Sequence, residues 1–152
     1  MKKYSLIVLI AAIVVIAGSS FDVIVFNHID SSEISVTPPQ DPADAKFPNG
    51  AKIYKEKCVV CHQLNGEGIP GAFPPLKNAD YLLADKKRAV KQVLNGSNEA
   101  ITVNGVVYTV PMPPQVDNHQ DAVDVINYVL NAWGNDGGTI TLEEVKDIKI
   151  VR

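Results

Sequence analysis

Apolar and polar positions divide this chain into regions of different character. From Tyr4 to Phe21 no charged residue occurs, and residues 6–17 are unbroken apolar. Residues 22–46 then lose any period, because Thr37-Pro38-Pro39-Gln40 and Asp41-Pro42 break helix and strand patterns alike. Helical spacing returns after Phe47. Over residues 51–57, Ile53 and Tyr54 face inward while Lys52, Lys55, Glu56 and Lys57 stay in water. A second helix is predicted over 85–94, with Asp85 as N-cap, Val90, Val93 and Leu94 as its stripe, and Asn95-Gly96 as its stop. Residues 101–108 change period: Asn104-Gly105 between β-branched residues predicts a hairpin of two short strands. A last helix is predicted over about 118–133, burying Val125, Ile126, Val129 and Trp133 and ending at Gly134. Residues 135–152 read as a polar tail, in which Thr141 and Glu144 can cap one short helix. The whole predicts an all-α domain over 47–134 with a small β-hairpin insertion at about 101–108.

The flanks imply an address. Lys2 and Lys3 precede the apolar run, and Ala17-Gly18-Ser19 offers small residues for cleavage, so residues 1–21 are either a signal or an N-terminal membrane anchor through residues 4–21. In both cases the rest of the chain lies outside the cytoplasmic membrane, and a retained anchor leaves the lysines inside. Residues 22–46 read as an extended, proline-stiffened linker in which His28 is an exposed bystander. The 152 residues leave room for one ordinary domain plus these flanks, and a formal net charge of -3 gives no argument for nucleic acid as a partner.

The chemistry-bearing stretch is Cys58-Val59-Val60-Cys61-His62. Two thiols on one turn of helix can each add to a haem vinyl group, and the next residue then supplies an imidazole to the iron. Competing uses of the thiols fit less well. Structural zinc and iron–sulfur sites need four ligands, whereas the chain has two cysteines, and His28 and His119 do not sit at finger spacing. A redox pair of the thioredoxin kind would need a βαβ pattern. A disulfide across two intervening residues is strained. Beyond His62, residues 65–76 are rich in glycine and proline, a backbone able to lie against a flat ligand.

From about Phe47 to Gly134 the chain resembles a class I cytochrome c. Gly50 and Tyr54 resemble residues of that family's N-terminal helix, and Ile126 and Tyr128 resemble packing positions of its last helix, which crosses the first. Residues 65–76, the Asn104-Gly105 hairpin and Trp133-Gly134 are also similar to cytochrome domains fused to some copper nitrite reductases, without copper-site residues. The hairpin departs from the plainest members of the family. The resemblance implies one covalent haem c held by Cys58 and Cys61, His62 as proximal ligand with its ring bonded to the Pro74 carbonyl, and Met112 as distal ligand. Met112 is the only methionine besides Met1 and sits among Pro111, Pro113 and Pro114. His119, beside Asp117, Asn118, Gln120 and Asp121, is the rival sixth ligand and reads as solvent-facing.

A thioether in the sixth position closes the iron and favours electron transfer over catalysis. The expectation is therefore an electron carrier between respiratory or reductase partners, periplasmic or otherwise extracytoplasmic. The alternatives are a non-catalytic haem subunit of a larger oxidoreductase, and a haem peroxidase or gas sensor with a displaceable Met112. Lysines and Arg88 on the first two helices against Asp117, Asp121 and Asp124 on the last give a charge asymmetry that can steer a redox partner.

Overall fold

A computed structural model describes residues 41–151. The expected signal or anchor, His28 and residues 22–40 of the expected linker lie outside the described residues. The order is α1 (Pro42–Lys46), α2 (Pro48–Lys57), α3 (Val59–His62), α4 (Asp80–Ala84), α5 (Lys86–Asn95), β1 (Ile101–Val103), β2 (Val106–Tyr108), α6 (His119–Val129), a 3-10 turn (Ala132–Gly134) and α7 (Leu142–Val145). The fold is all-α with one small antiparallel hairpin, in which Val103 pairs with Val106 across Asn104-Gly105. Among the described residues no helix is long and apolar enough to cross a membrane.

Local chemistry explains most of the boundaries. Asp85 caps α5 by accepting from the Arg88 N–H at 2.9 Å, and Asn118 caps α6 by accepting from Asp121 at 2.9 Å. Thr141 and Glu144 form a reciprocal capping box at α7. The hairpin turn is tied down from outside. Asn104 N–H donates to the Asp80 carboxylate at 2.7 Å, and Asp80 N–H donates back to the Asn104 amide oxygen at 3.1 Å. That exchange also gives the first N–H of α4 its partner.

The core is organised by the crossing of α2 and α6. A β-carbon built at Gly50 would lie 2.1 Å from the Asp124 carbonyl oxygen and 2.7 Å from the β-carbon of Tyr128. Glycine in a helix interior costs up to about 1 kcal/mol relative to alanine. Here it lets one helix lie directly on the backbone of the other. Around that contact Tyr54, Tyr128 and Trp133 stack mutually, with ring centroids 5.0–5.8 Å apart. Such tilted pairs add about 0.5–1.5 kcal/mol each beyond the area they bury. The Tyr54 hydroxyl spends its proton on the Gln63 carbonyl at 2.6 Å, which ties α2 to the end of α3.

Three expectations change. The linker ends earlier than residue 46, since Ala43 is 2 % exposed and α1 packs on the core. Asp41-Pro42 is a helix start: one Asp41 oxygen caps Ala43 N–H at 2.8 Å, the other accepts Trp133 N–H at 2.6 Å, and proline fits the first helical position. The last helix stops at Val129. Trp133 lies beyond it with φ of 57°, a left-handed conformation unusual for so large a residue. The bond to Asp41 and a second from its indole N–H to the Leu64 carbonyl at 2.9 Å hold it there.

The polar tail, third, is part of the fold. Val145 is fully buried and Ile140 nearly so. Asn127 exchanges two hydrogen bonds with Ile140, and Asn95 exchanges two with Lys149 and Val151. The tail reads as solvated because the amides that receive it lie elsewhere in sequence.

Two outcomes test this architecture. Gly50→Ala should lose about 2 kcal/mol in denaturant unfolding despite alanine's better helix propensity; an unchanged midpoint would mean that the helices do not touch. A chain starting at Asp41 should melt like one with its full N-terminal flank. One starting at Phe47 should melt at least about 4 °C lower, because it loses Ala43 burial and the Asp41–Trp133 bond.

Candidate functional site

Between α3, α5, α6, the hairpin and the 110–113 segment lies a cavity of about 310 Å³. It brings together the five residues singled out from the sequence: Cys58, Cys61, His62, Pro74 and Met112 all line it. His119 does not. It begins α6, and its Nε2 is hydrogen-bonded to the Ile148 carbonyl at 2.8 Å, so it is half-buried under the tail rather than solvent-facing.

Cys58 caps α2 and Cys61 lies in the single turn of α3, so one change of helix direction presents both thiols to the cavity. Burial, aided by the neighbouring Cys61, pushes the Cys58 thiol up to about 12 and keeps it neutral at ordinary pH. His62 is buried, and its Nδ1 is 2.9 Å from the Pro74 carbonyl oxygen. A carbonyl only accepts, so Nδ1 carries the proton and Nε2 keeps a free lone pair. Burial holds the ring's pKa below its usual value and so favours the neutral, ligating form, while the Pro74 bond partly opposes that shift.

The Met112 backbone is fixed by something the sequence did not suggest. It forms a two-bond bridge with Ser97: Met112 N–H donates to the Ser97 carbonyl, and Ser97 N–H donates to the Met112 carbonyl, both at 2.8 Å. Gly96 makes room, with φ of 76° and a virtual β-carbon 2.5 Å from the Met112 oxygen. The prolines stiffen the segment, and this bridge sets where it lies.

Arg88, expected among the charges that steer a redox partner, lines the cavity. Its guanidinium lies 3.6 Å over the Tyr81 ring and donates through Nη2 to the Tyr81 carbonyl. Its Nε is buried and has no partner among the described residues. Helical spacing was the available signal: Ala89, Gln92 and Val93 line the same wall, so position 88 shares that face. The donor set fits a haem. It holds two thiols at vinyl-attachment spacing, a neutral imidazole with one free nitrogen, a thioether, and an unspent guanidinium donor suited to the macrocycle's carboxylates.

Comparison with known proteins decides the family. The Cytochrome c family model matches residues 47–133. The chain belongs to the cytochrome c family. Within it, the chain is a class I cytochrome c, a carrier of electrons rather than a catalyst, with covalently bound haem c. It is 36 % identical over 111 residues to cytochrome c-552 of Thermus thermophilus, covering 66 % of this chain and 84 % of that one. It is 28 % identical over 104 residues to the cytochrome c subunit of the quinone-type alcohol dehydrogenase of Gluconobacter oxydans, and 28 % over 107 residues to the cytochrome c subunit of the gluconate 2-dehydrogenase of Pantoea cypripedii. Those matches cover 66 % of this cytochrome but only 22 % and 24 % of the two subunits.

The Gly96 contact yields a local test. Gly96→Ala should lower stability by about 1–3 kcal/mol. Amide exchange at Ser97 and Met112 should accelerate together, beyond the increase at core amides such as Leu94. Uniform acceleration would show that the bridge has no separate hold on the Met112 segment.

Proposed function

We propose that this cytochrome carries a single haem c attached through Cys58 and Cys61, with His62 and Met112 as the iron ligands, and passes single electrons between redox proteins outside the cytoplasmic membrane. One observation carries this reading: both thiols, the free Nε2 of His62 and Met112 line one cavity, while His119 is committed to Ile148. When bound, haem c supplies a one-electron couple between ferric and ferrous iron.

The chain's own residues do the rest. The Pro74 carbonyl holds the Nδ1 proton of His62, which fixes the tautomer and keeps Nε2 available. The Ser97 bridge delivers Met112, and a thioether favours ferrous iron relative to a second imidazole. Val93, Val125, Ile126 and Val129 from α5 and α6 give the cavity apolar sides that exclude water. Arg88 is placed to meet a carboxylate of the macrocycle.

The location rests on the charge-then-apolar order of residues 1–21, and the uncleaved form would tether the domain to the inner membrane by residues 4–21. The likeness to cytochrome c subunits of dehydrogenases supports a second reading, residence in a larger oxidoreductase as its haem subunit. Co-purification of a larger redox enzyme from native membranes, stable to gel filtration, would favour it over a mobile carrier.

Acid–organic extraction should leave the haem on the protein, and the denatured mass should exceed that of the polypeptide by one haem. The ferric protein should show the weak long-wavelength band of sulfur–iron ligation. Met112→Ala should abolish the band and let the ferrous protein bind carbon monoxide readily. His119→Ala should change neither. Loss of the band in His119→Ala alone would overturn the ligand assignment.

A further inference from the structure

Among the described residues the fold buries two polar side chains, His62 and Asn135. The second opens the stretch expected to be a polar tail and lies two residues past the matched family segment. It is 7 % exposed, and its amide is used in full. Nδ2 donates to the Leu76 carbonyl at 3.0 Å and to the Val129 carbonyl at 2.7 Å. Oδ1 accepts from the Asn78 N–H at 2.7 Å. Its own N–H donates to the Ala132 carbonyl at 2.9 Å. One side chain thus staples the 76–78 segment to the end of α6.

That segment continues directly from Pro74-Pro75. Neither proline has an N–H, so the two residues donate no backbone bond of their own. The Pro74 carbonyl that holds the His62 Nδ1 proton is therefore positioned by what anchors the chain on each side. Upstream the anchors are the Ile69–Phe73 bridge and Gly68 N–H on the His62 carbonyl at 3.0 Å. Downstream they are Leu76 and Lys77 N–H on the Gly66 carbonyl, and Asn135. Gly66 belongs to the same loop, so Asn135 alone among these ties the stretch after Pro74 to the helical core.

We propose that Asn135 is a positioning residue for the iron's histidine ligand: through Leu76 and Asn78 it holds the Pro74 carbonyl against the His62 Nδ1 proton and so sets the basicity of Nε2. The proposal rests on the reading of His62 as that ligand. A firmly held Nδ1–H to carbonyl bond raises the electron density of the ligating nitrogen and favours ferric iron. Release of the staple removes that push. The ferrous form gains, and the ring proton meets solvent more often.

The test compares Asn135→Ala with Asn127→Ala in the haem-bearing protein. Asn127 also joins α6 to the tail, through two bonds to Ile140, but its side chain bonds to the tail and not to the 74–78 segment. Covalent haem is first confirmed in each by extraction. If wild type carries none, the reading of His62 fails by itself, and this proposal with it. Asn135→Ala should raise the ferrous-to-ferric ratio at fixed ambient potential about threefold, about 28 mV at 59 mV per tenfold for one electron. It should speed solvent exchange of the His62 Nδ1 proton, followed by NMR of the ferrous protein, at least tenfold. Asn127→Ala should do neither, even at an equal loss of melting temperature. Equal behaviour of the two variants would reduce Asn135 to a structural role. Should Asn135→Ala not mature, wild type decides: the His62 ring proton and the Asn78 amide should exchange through one opening event with the same denaturant dependence, and separate opening energies would overturn the proposal.

Discussion

The absence of a β-carbon at Gly50 is the constraint on which the other contacts depend. It lets α2 rest on the Asp124 carbonyl of α6, and that single approach sets the spacing of these two helices. Everything at the cavity inherits it. Cys58 ends α2, α3 continues from it, and Val125, Ile126 and Val129 of α6 face the same space. The Tyr54–Tyr128–Trp133 cluster then fills the volume beside the crossing, and the Tyr54 hydroxyl joins α2 to Gln63. A shift of this crossing by one methyl group would move both thiols relative to the opposing wall, because protein interiors are packed without slack.

Two walls of the cavity are held by different means. On the His62 side a proline-rich loop supplies the carbonyl, and its position depends on anchors at either end. On the Met112 side a short backbone bridge to Ser97 does the work, at a place where glycine permits close approach. Neither arrangement relies on surface ion pairs. Of the three salt bridges among the described residues, Lys77–Glu67 and Lys146–Glu143 join exposed side chains, and such pairs contribute about 0–1 kcal/mol; the third, Lys55–Asp44, lies away from both walls. Buried hydrogen bonds to backbone carbonyls carry the positional burden instead, and breaking one leaves an unsatisfied group at a cost of about 1–3 kcal/mol.

The segments on either side of residues 47–133 extend the family core. Residues 41–46 brace Trp133 from one side, and residues 135–151 lie along α5 and α6, received by Asn95, His119, Asn127 and Asn131. The recurrent device is a side-chain amide pairing with passing backbone. It allows a polar, irregular segment to pack without a strand or helix of its own, since each buried N–H and C=O must still find a partner.

Local features were legible in the sequence. The Cys58–His62 motif, the Asp85 cap, the Asn104-Gly105 turn, the Thr141–Glu144 box and the apolar stripe of α6 each depend on residues within a few positions of one another, so their chemistry is written in spacing. Family likeness followed from the same order of short signals. What tertiary structure alone decided is every relation between distant residues. Asp41 becomes a cap and a brace because Trp133 reaches it, Arg88 belongs to the cavity rather than to solvent, and Ser97 holds Met112. Asn135 is buried for the same reason, since its partners at residues 76 and 78 lie far back in the chain. Composition marks all four as polar and therefore exposed. Their roles are set by hydrogen-bond partners 7 to 92 residues away, which helix and strand periods do not encode.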